Sequence, residues 1–281
     1  MKRQLLGVAA ILLSISTYAQ DNPLWTRYCA ISPDGTTIAF TYKGDIYTVP
    51  STGGRASQIT TNPAHDTKPI WSPDGKKIAF ASDRMGSMDI FEVNKEGGIP
   101  KRLTTHSGNE TPVAYKDAGH ILFLANIMPT VEDAQFPSGQ FQQVYEVNTE
   151  GGRPALFASM PMEDISINHT GNTLLYHDKK GYEDPWRKHH TSSITRDIWL
   201  CSLNGNRTFR KQTTFNGEDR TPVWASDDKS FYYLSEEKGS FNIFKRDIDG
   251  NTSKQITNHT KHPVRFLSAA SNGTLCYGYD G

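Results

Sequence analysis

Residues 69–98 read PIWSPDGKKIAFASDRMGSMDIFEVNKEGG, and the folding of this stretch decides the architecture. Two short apolar runs flank Ser72-Pro73-Asp74-Gly75. Pro pre-sets φ, Asp can hydrogen-bond its own backbone and Gly accepts a positive φ, so the tetrad predicts a tight turn between two strands. A second turn region, Ser82 to Ser87, leads into Asp89-Ile90-Phe91-Glu92-Val93, where apolar and polar residues alternate with the period of a strand. Gly97-Gly98 then turns the chain towards Arg102-Leu103-Thr104. The unit reads as four short antiparallel strands.

That unit recurs. Its second strand ends on an aromatic residue at Phe40, Phe80, Phe123, Tyr176, Tyr233 and Tyr277, with gaps of 40, 43, 53, 57 and 44 residues. The third strand is anchored at Ile46-Tyr47, Ile90-Phe91, Val144-Tyr145, Ile198-Trp199 and Ile243-Phe244. Pro69, Pro112 and Pro222 each stand eleven residues before the aromatic and confirm the register of three copies. Turn glycines follow at Gly53-Gly54, Gly97-Gly98, Gly151-Gly152, Gly205 and Gly250. Closing strands follow at Gln58-Ile59-Thr60, Arg102-Leu103-Thr104 and Gln255-Ile256-Thr257, with weaker copies at Ala155-Leu156-Phe157 and Gln212-Thr213. Four strands per unit at this period predict propeller blades, because one four-stranded sheet cannot cover both of its faces alone. No segment after residue 20 sustains a 3.6-residue apolar period over three turns, which argues against a helical repeat.

The expected fold is therefore all-β, a six-bladed β-propeller of four-stranded antiparallel blades. The blades fall at about 28–60, 69–104, 112–157, 165–213, 222–257 and 264–281. The last is incomplete: Val264 to Leu267 and Thr274 to Tyr277 supply two strands. An open half-blade exposes sheet edge, so the expectation is the front piece of a longer protein. The alternative is a natural terminus with the amino-terminal segment completing the blade.

Lys2-Arg3 precede an apolar stretch, Leu5 to Leu13, and Thr17-Tyr18-Ala19 offers a small residue for cleavage before Gln20. Residues 1–19 thus read as a secretory signal peptide; the apolar stretch is too short to span a bilayer, and no Cys follows it closely enough for a lipid anchor. The expected location is the periplasm. Formal charge balances at 30 against 30, so nothing advertises nucleic acid or acidic lipid. Cys29, Cys201 and Cys276 are an odd set in different blades and read as buried small hydrophobes, with a disulfide or a reactive thiol as the other reading.

Blades three and four carry insertions, Asn126 to Gln142 and Asp178 to Arg196, between their second and third strands. Both should crowd one face of the propeller, and binding resides on such loops. Phe136, Phe141, Tyr182 and Trp186, with Arg187 and Lys188, form a candidate binding patch there; pinning of its own loop is the other reading of Trp186. Acidic residues recur just before the innermost strands: Asp66, Glu110, Glu163-Asp164 and Glu218-Asp219-Arg220. They are expected to ring the mouth of the central channel and grip peptide termini or Lys and Arg side chains; turn capping is the plainer reading. Candidate substrate-binding residues are thus Asp66, Glu110, Glu163, Asp164, Glu218, Asp219, Arg220, Trp186 and Arg187. Gly-x-Ser-x-Gly, His-Glu-x-x-His, Cys-x-x-Cys and Gly-x-Gly-x-x-Gly motifs are all missing, so no catalytic residue, cofactor or metal is signalled. His189-His190 would point to opposite sides of a strand and so could not both ligate one metal there, although in a loop they could; His65, His106, His259 and His262 fall in connections between blades and read as surface histidines.

The repeat resembles the TolB-type propeller pattern, most fully at residues 70–80 with 89–91 and at 31–40 with 45–47. From residue 22 to 281 the chain resembles the amino-terminal propeller of exported tricorn-like serine peptidases. That resemblance rests on Pro23-Leu24-Trp25, on Tyr182-Glu183-Asp184-Pro185-Trp186-Arg187-Lys188-His189-His190 and on Thr195-Arg196-Asp197-Ile198-Trp199. It implies a propeller that filters peptides or unfolded segments for carboxy-terminal peptidase domains, with the catalytic residues beyond this chain and homo-oligomers in view. The alternative is a non-enzymatic TolB-like periplasmic scaffold that binds protein partners.

Overall fold

The computed structural model describes residues 25–127, 141–182 and 191–279. Blade one comprises β1 (Arg27–Ile31), β2 (Thr37–Tyr42), β3 (Asp45–Pro50) and β4 (Ser57–Gln58). Blade two comprises β5 (Asp66–Trp71), β6 (Lys77–Ser82), β7 (Asp89–Asn94) and β8 (Lys101–Arg102). Blade three comprises β9 (Thr111–Asp117), β10 (His120–Ala125), β11 (Gln143–Asn148) and β12 (Ala155–Ala158). Blade four comprises β13 (Met162–Ile167), β14 (Thr173–Asp178), β15 (Ile198–Ser202) and β16 (Phe209–Lys211). Blade five comprises β17 (Asp219–Trp224), β18 (Ser230–Ser235), β19 (Asn242–Asp247) and β20 (Ser253–Gln255). A final two-stranded sheet holds β21 (Arg265–Ala269) and β22 (Leu275–Gly278).

The all-β propeller expectation holds, with one correction to its count: among the described residues five blades are present, and the expected sixth is seen only as a two-stranded sheet. Each complete sheet is antiparallel and runs in chain order, whereas β21 and β22 pair with each other and, among the described residues, gain no third strand. Each blade is pinned by one cross-strand aromatic pair between its second and third strands. Phe40 faces Tyr47, Phe80 faces Phe91, Phe123 faces Tyr145, Tyr176 faces Trp199 and Tyr233 faces Phe244. Ring centroids in four of these pairs lie 5.8 to 6.1 Å apart, a separation at which aromatic rings attract beyond their buried area.

The Ser-Pro-Asp-Gly turns take the same form in blades one and two. Ser72 Oγ donates to Asp74 Oδ1 at 2.7 Å and accepts from Lys77 N at 2.9 Å, while Asp74 Oδ1 accepts from Lys76 N. Ser32 and Asp34 repeat this set with Thr37 and Thr36. Gly75 and Gly35 sit at φ of 67° and 76°, where a side chain would strain the backbone. In blade five the tetrad becomes Ala225-Ser226-Asp227-Asp228, and Asp228 takes the left-handed position at φ 51°.

Neighbouring blades join through apolar clusters that mix residues of two sheets, such as Ala39 and Ile46 with Ile78 and Phe80. Trp71 and Trp224, on innermost strands, donate their indole N–H to the carbonyls of Ala30 and Ser166 in the preceding blades, each at 2.9 Å. The ring closes where the final sheet meets blade one. Ser271 N donates to Pro33 O at 2.9 Å, and Asn272 Nδ2 comes so near Gly35 that a Cβ there would lie 2.5 Å from it.

Candidate functional site

The six innermost strands, β1, β5, β9, β13, β17 and β21, surround a cavity of about 1120 Å³. Five of them carry a β-bulge around a non-glycine residue in the left-handed region: Tyr28 (φ 52°), Lys68 (φ 54°), Asp164 (φ 48°), Thr221 (φ 51°) and Phe266 (φ 55°). Such a conformation is costly for a β-branched residue like Thr221 and recurs where a strand must re-aim a side chain. All five residues line the cavity. The bulges are thus a ring device, built once per inner strand except in blade three, whose bulges keep φ negative. Sequence alternation gave no sign of them.

The charged groups of the cavity gather on the side of blades four and five. Glu163 on β13 accepts from Lys179 Nζ at 2.9 Å and lies 3.3 Å from His177 Nε2 and 3.5 Å from Arg196 Nε. Thr221 N donates to His177 Nδ1 at 3.2 Å, so the imidazole proton sits on Nε2 and points to Glu163. Burial would raise the Glu163 carboxyl, but the hydrogen bond from His177 and the charge and hydrogen bond of Lys179 outweigh it. The carboxyl is held well below the usual range. Arg196 donates to Glu218 Oε1 at 2.6 Å, both side chains being almost wholly buried. The Arg220 guanidinium stacks on Phe241 at 4.1 Å, and burial first of all pulls it down to about 10. Asp164 is the accessible carboxylate of the group, with 48% of its side chain exposed, and it accepts from Thr221 Oγ1 at 2.7 Å.

The residues singled out from sequence divide. Glu163, Asp164 and Arg220 line the cavity, and Glu218 stands behind them through Arg196. Asp66, Glu110 and Asp219 lie elsewhere, wholly buried in the seams between adjacent blades rather than around the mouth. Their backbone N–H groups reach the preceding blade: Asp66 N to Gly44 O, Glu110 N to Met88 O and Asp219 N to Arg196 O. This linkage draws each side chain under its neighbour and away from the channel. Trp186 and Arg187, with Phe136 and Lys188, lie outside the described residues. Both insertions do border the cavity, through Gln142 on one side and Lys179 and Tyr182 on the other.

His177, Lys179, Arg196, Lys68 and Arg265 also line the cavity and were not proposed from sequence as binding residues. Arg196 was visible only within the string 195–199. The others come from strands and an insertion whose meeting no local pattern announces. Among the described residues no cluster of three metal-ligating side chains occurs, and no helix is long and apolar enough to cross a membrane.

Inner strands from six sheets arranged around a central cavity define a β-propeller. The chain belongs to the family described as the tricorn protease N-terminal beta propeller domain, whose profile matches residues 23–281. It is 26% identical over 226 residues to the tricorn protease homolog 1 of Streptomyces coelicolor, covering 80% of this chain but only 20% of that protein. The chain thus spans about a fifth of the length of such curated relatives. Among solved structures, the tricorn protease matches with a TM-score of 0.70 at 21% identity, over 90% of this chain and 24% of the other. TolB from Acinetobacter baumannii matches with a TM-score of 0.63 at 17% identity, over 86% and 56%. At these identities the structural matches speak for the fold alone.

Proposed function

We propose that this propeller is the peptide-binding and gating domain of an exported tricorn-like serine endopeptidase whose bond-cleaving residues are encoded outside this chain. The observation that carries the reading is the cavity of about 1120 Å³ walled by one strand from each of six sheets, in a chain of this family. On this reading β21 and β22 are the inner half of a sixth blade, residues 1–19 are a signal peptide and residues 20–281 form one domain.

A cavity of this size accommodates an extended peptide segment. It excludes a folded domain, whose radius of gyration is already about 13 Å at 100 residues. Selection is therefore steric first. Charge supplies the second selection: Asp164 offers a carboxylate to a peptide amino group or a Lys or Arg side chain, while Lys68 offers a cation to a carboxylate. Glu163 and Arg220, held by their own partners, shape the wall between them.

The test is a fluorescence-anisotropy titration of the purified chain with a labelled unstructured peptide carrying both charges. Saturable binding is expected, weakened about tenfold by Asp164→Asn together with Lys68→Gln, the loss of roughly one charge-assisted hydrogen bond. Both replacements tolerate the left-handed backbone well enough for the melting temperature to stay near that of the parent. A casein-type substrate should survive incubation with the chain. Cleavage of casein by this chain would overturn the division of labour. Peptide binding that ignores both substitutions would move the site to the outer surface, as a TolB-like scaffold requires.

A further inference from the structure

Cys29 and Cys276 lie near opposite ends of the chain yet meet where the ring closes. Cys29 belongs to β1, and Cys276 on β22 stands opposite Ser268 of β21. Ile31 N donates to Ser268 Oγ at 2.9 Å, Cys29 Sγ donates to Phe266 O at 3.2 Å, and the Tyr28 and Phe266 rings pack at 4.9 Å. These contacts lay β1 along the final sheet, where it packs against both β21 and β22, and the Cys29 and Cys276 thiols influence each other's ionisation across that junction. Both cysteines are only partly buried, whereas Cys201 is enclosed in the core of blade four.

We propose that Cys29 and Cys276 form a disulfide that locks the first blade to the closing sheet. Every other junction in the ring is covalently backed by the chain passing from one blade to the next, and this junction is not. A bond here closes a loop containing nearly the whole propeller, the kind of cross-link that restricts the unfolded chain most. It would also hold Tyr28 and Phe266, two of the five bulge residues of the cavity, in their present relation.

The chemistry balances as thiol–disulfide exchange with a small-molecule or protein disulfide as oxidant. The neighbouring Cys29 lowers the Cys276 thiol, while Cys276 and then burial raise the Cys29 thiol well above its usual range. Cys276 is therefore the attacking thiolate. Its sulfur displaces one thiolate from the oxidant and forms a mixed disulfide. Cys29 then loses its proton and attacks the Cys276 sulfur, releasing the second thiolate. Two protein thiols are oxidised by two electrons, and one external disulfide is reduced to two thiols.

The experiment equilibrates the full chain with oxidised glutathione, blocks remaining thiols with N-ethylmaleimide after denaturation, and maps peptides without reduction. The expected result is a fall from three free thiols to one, a linked pair of peptides carrying Cys29 and Cys276, and free Cys201. The melting temperature should rise by roughly 5–10 °C over the reduced chain, and Cys276→Ser should abolish that rise. Three alkylated thiols after oxidation, a glutathione adduct left on Cys276 beside a free Cys29, or a link through Cys201 would each overturn the proposal.

Discussion

The seam between blades one and two and the seam between blades three and four occupy the same place in the repeat and are filled by opposite chemistry. In the first, Thr60 Oγ1 accepts from Ile46 N at 3.0 Å, Asp45 lies beside it, and the fully buried Asp66 takes a two-pronged hydrogen bond from Arg84 Nη2 at 2.9 Å. Arg84 in turn lies 4.5 Å over the Phe91 ring. Thr104 with Asp89 and Glu110, and Thr213 with Asp197 and Asp219, repeat the slot at two further seams, each hydroxyl accepting from the N–H of Ile90 or Ile198. In the seam between blades three and four, Ala158 stands opposite Val144 and Met162 takes the place of the acid, packed among Leu122, Leu124 and Ile165. The slot must be filled and its backbone satisfied. It need not be charged, as expected if buried ion pairs gain little over well-packed apolar groups of like volume.

The same comparison says that half a polar seam is worse than either whole version. Arg84→Ala leaves the Asp66 carboxylate buried without its partner and removes the cover from Phe91. It should lower unfolding free energy by about 3–5 kcal/mol, read from urea denaturation. Arg84→Leu combined with Asp66→Met copies the apolar seam and should recover most of that loss. A single substitution that cost under about 1 kcal/mol, or a double no better than the single, would break the equivalence of the two seams.

A smaller effect is expected from pH, because the polar seams hold carboxyls that resist ionisation. Burial, chiefly, pushes Asp219 up to about 7, against the pull of the Ser235 and Thr213 hydroxyls. Burial and the neighbouring Asp89 likewise push Glu110 up to about 7. These groups keep a proton in the folded state that the unfolded chain releases near pH 4, so their contribution is most favourable below that pH and is lost as pH rises to about 7. Asp219→Asn should therefore flatten the decline in stability between pH 4.5 and 8, by about 1–3 kcal/mol at the alkaline end. A variant whose pH profile runs parallel to the parent's would mean that Asp219 is ionised in its seam.

These seams also mark where the sequence stopped being readable. The aromatic pairs Phe80–Phe91 and Phe123–Tyr145 were legible because alternation and spacing are local, and they fall in register across adjacent strands. The period of Asp66, Glu110 and Asp219 was equally legible, but a period fixes a position in the repeat and not the direction it faces. Only the hydrogen bonds from their N–H groups into the preceding blade put them under a neighbour. The cavity cluster of Glu163, His177, Arg196 and Thr221 draws on three strands and an insertion, so no window of sequence contains it. Cys29 and Cys276 read as an odd set because ring closure, which pairs them, is the least local contact of the fold.

The smallest effect is expected at the exposed end of each blade, where turn chemistry is local and interchangeable. Ser72 Oγ both donates to Asp74 and accepts from Lys77 N, so Ser72→Ala removes two hydrogen bonds at the end of a strand pair. Water can replace part of that network, and a loss of about 0.5–1.5 kcal/mol is expected, well below that of Arg84→Ala. Blade four fills the equivalent place with Asn168, whose Oδ1 accepts from Asn172 N and Thr173 N. Ser72→Asn should therefore lose less than Ser72→Ala in the same denaturation measurement. If instead Ser72→Ala matched the damage of Arg84→Ala, the turns rather than the seams would govern the stability of the ring, and the contrast between buried junction and exposed turn would have to be reversed.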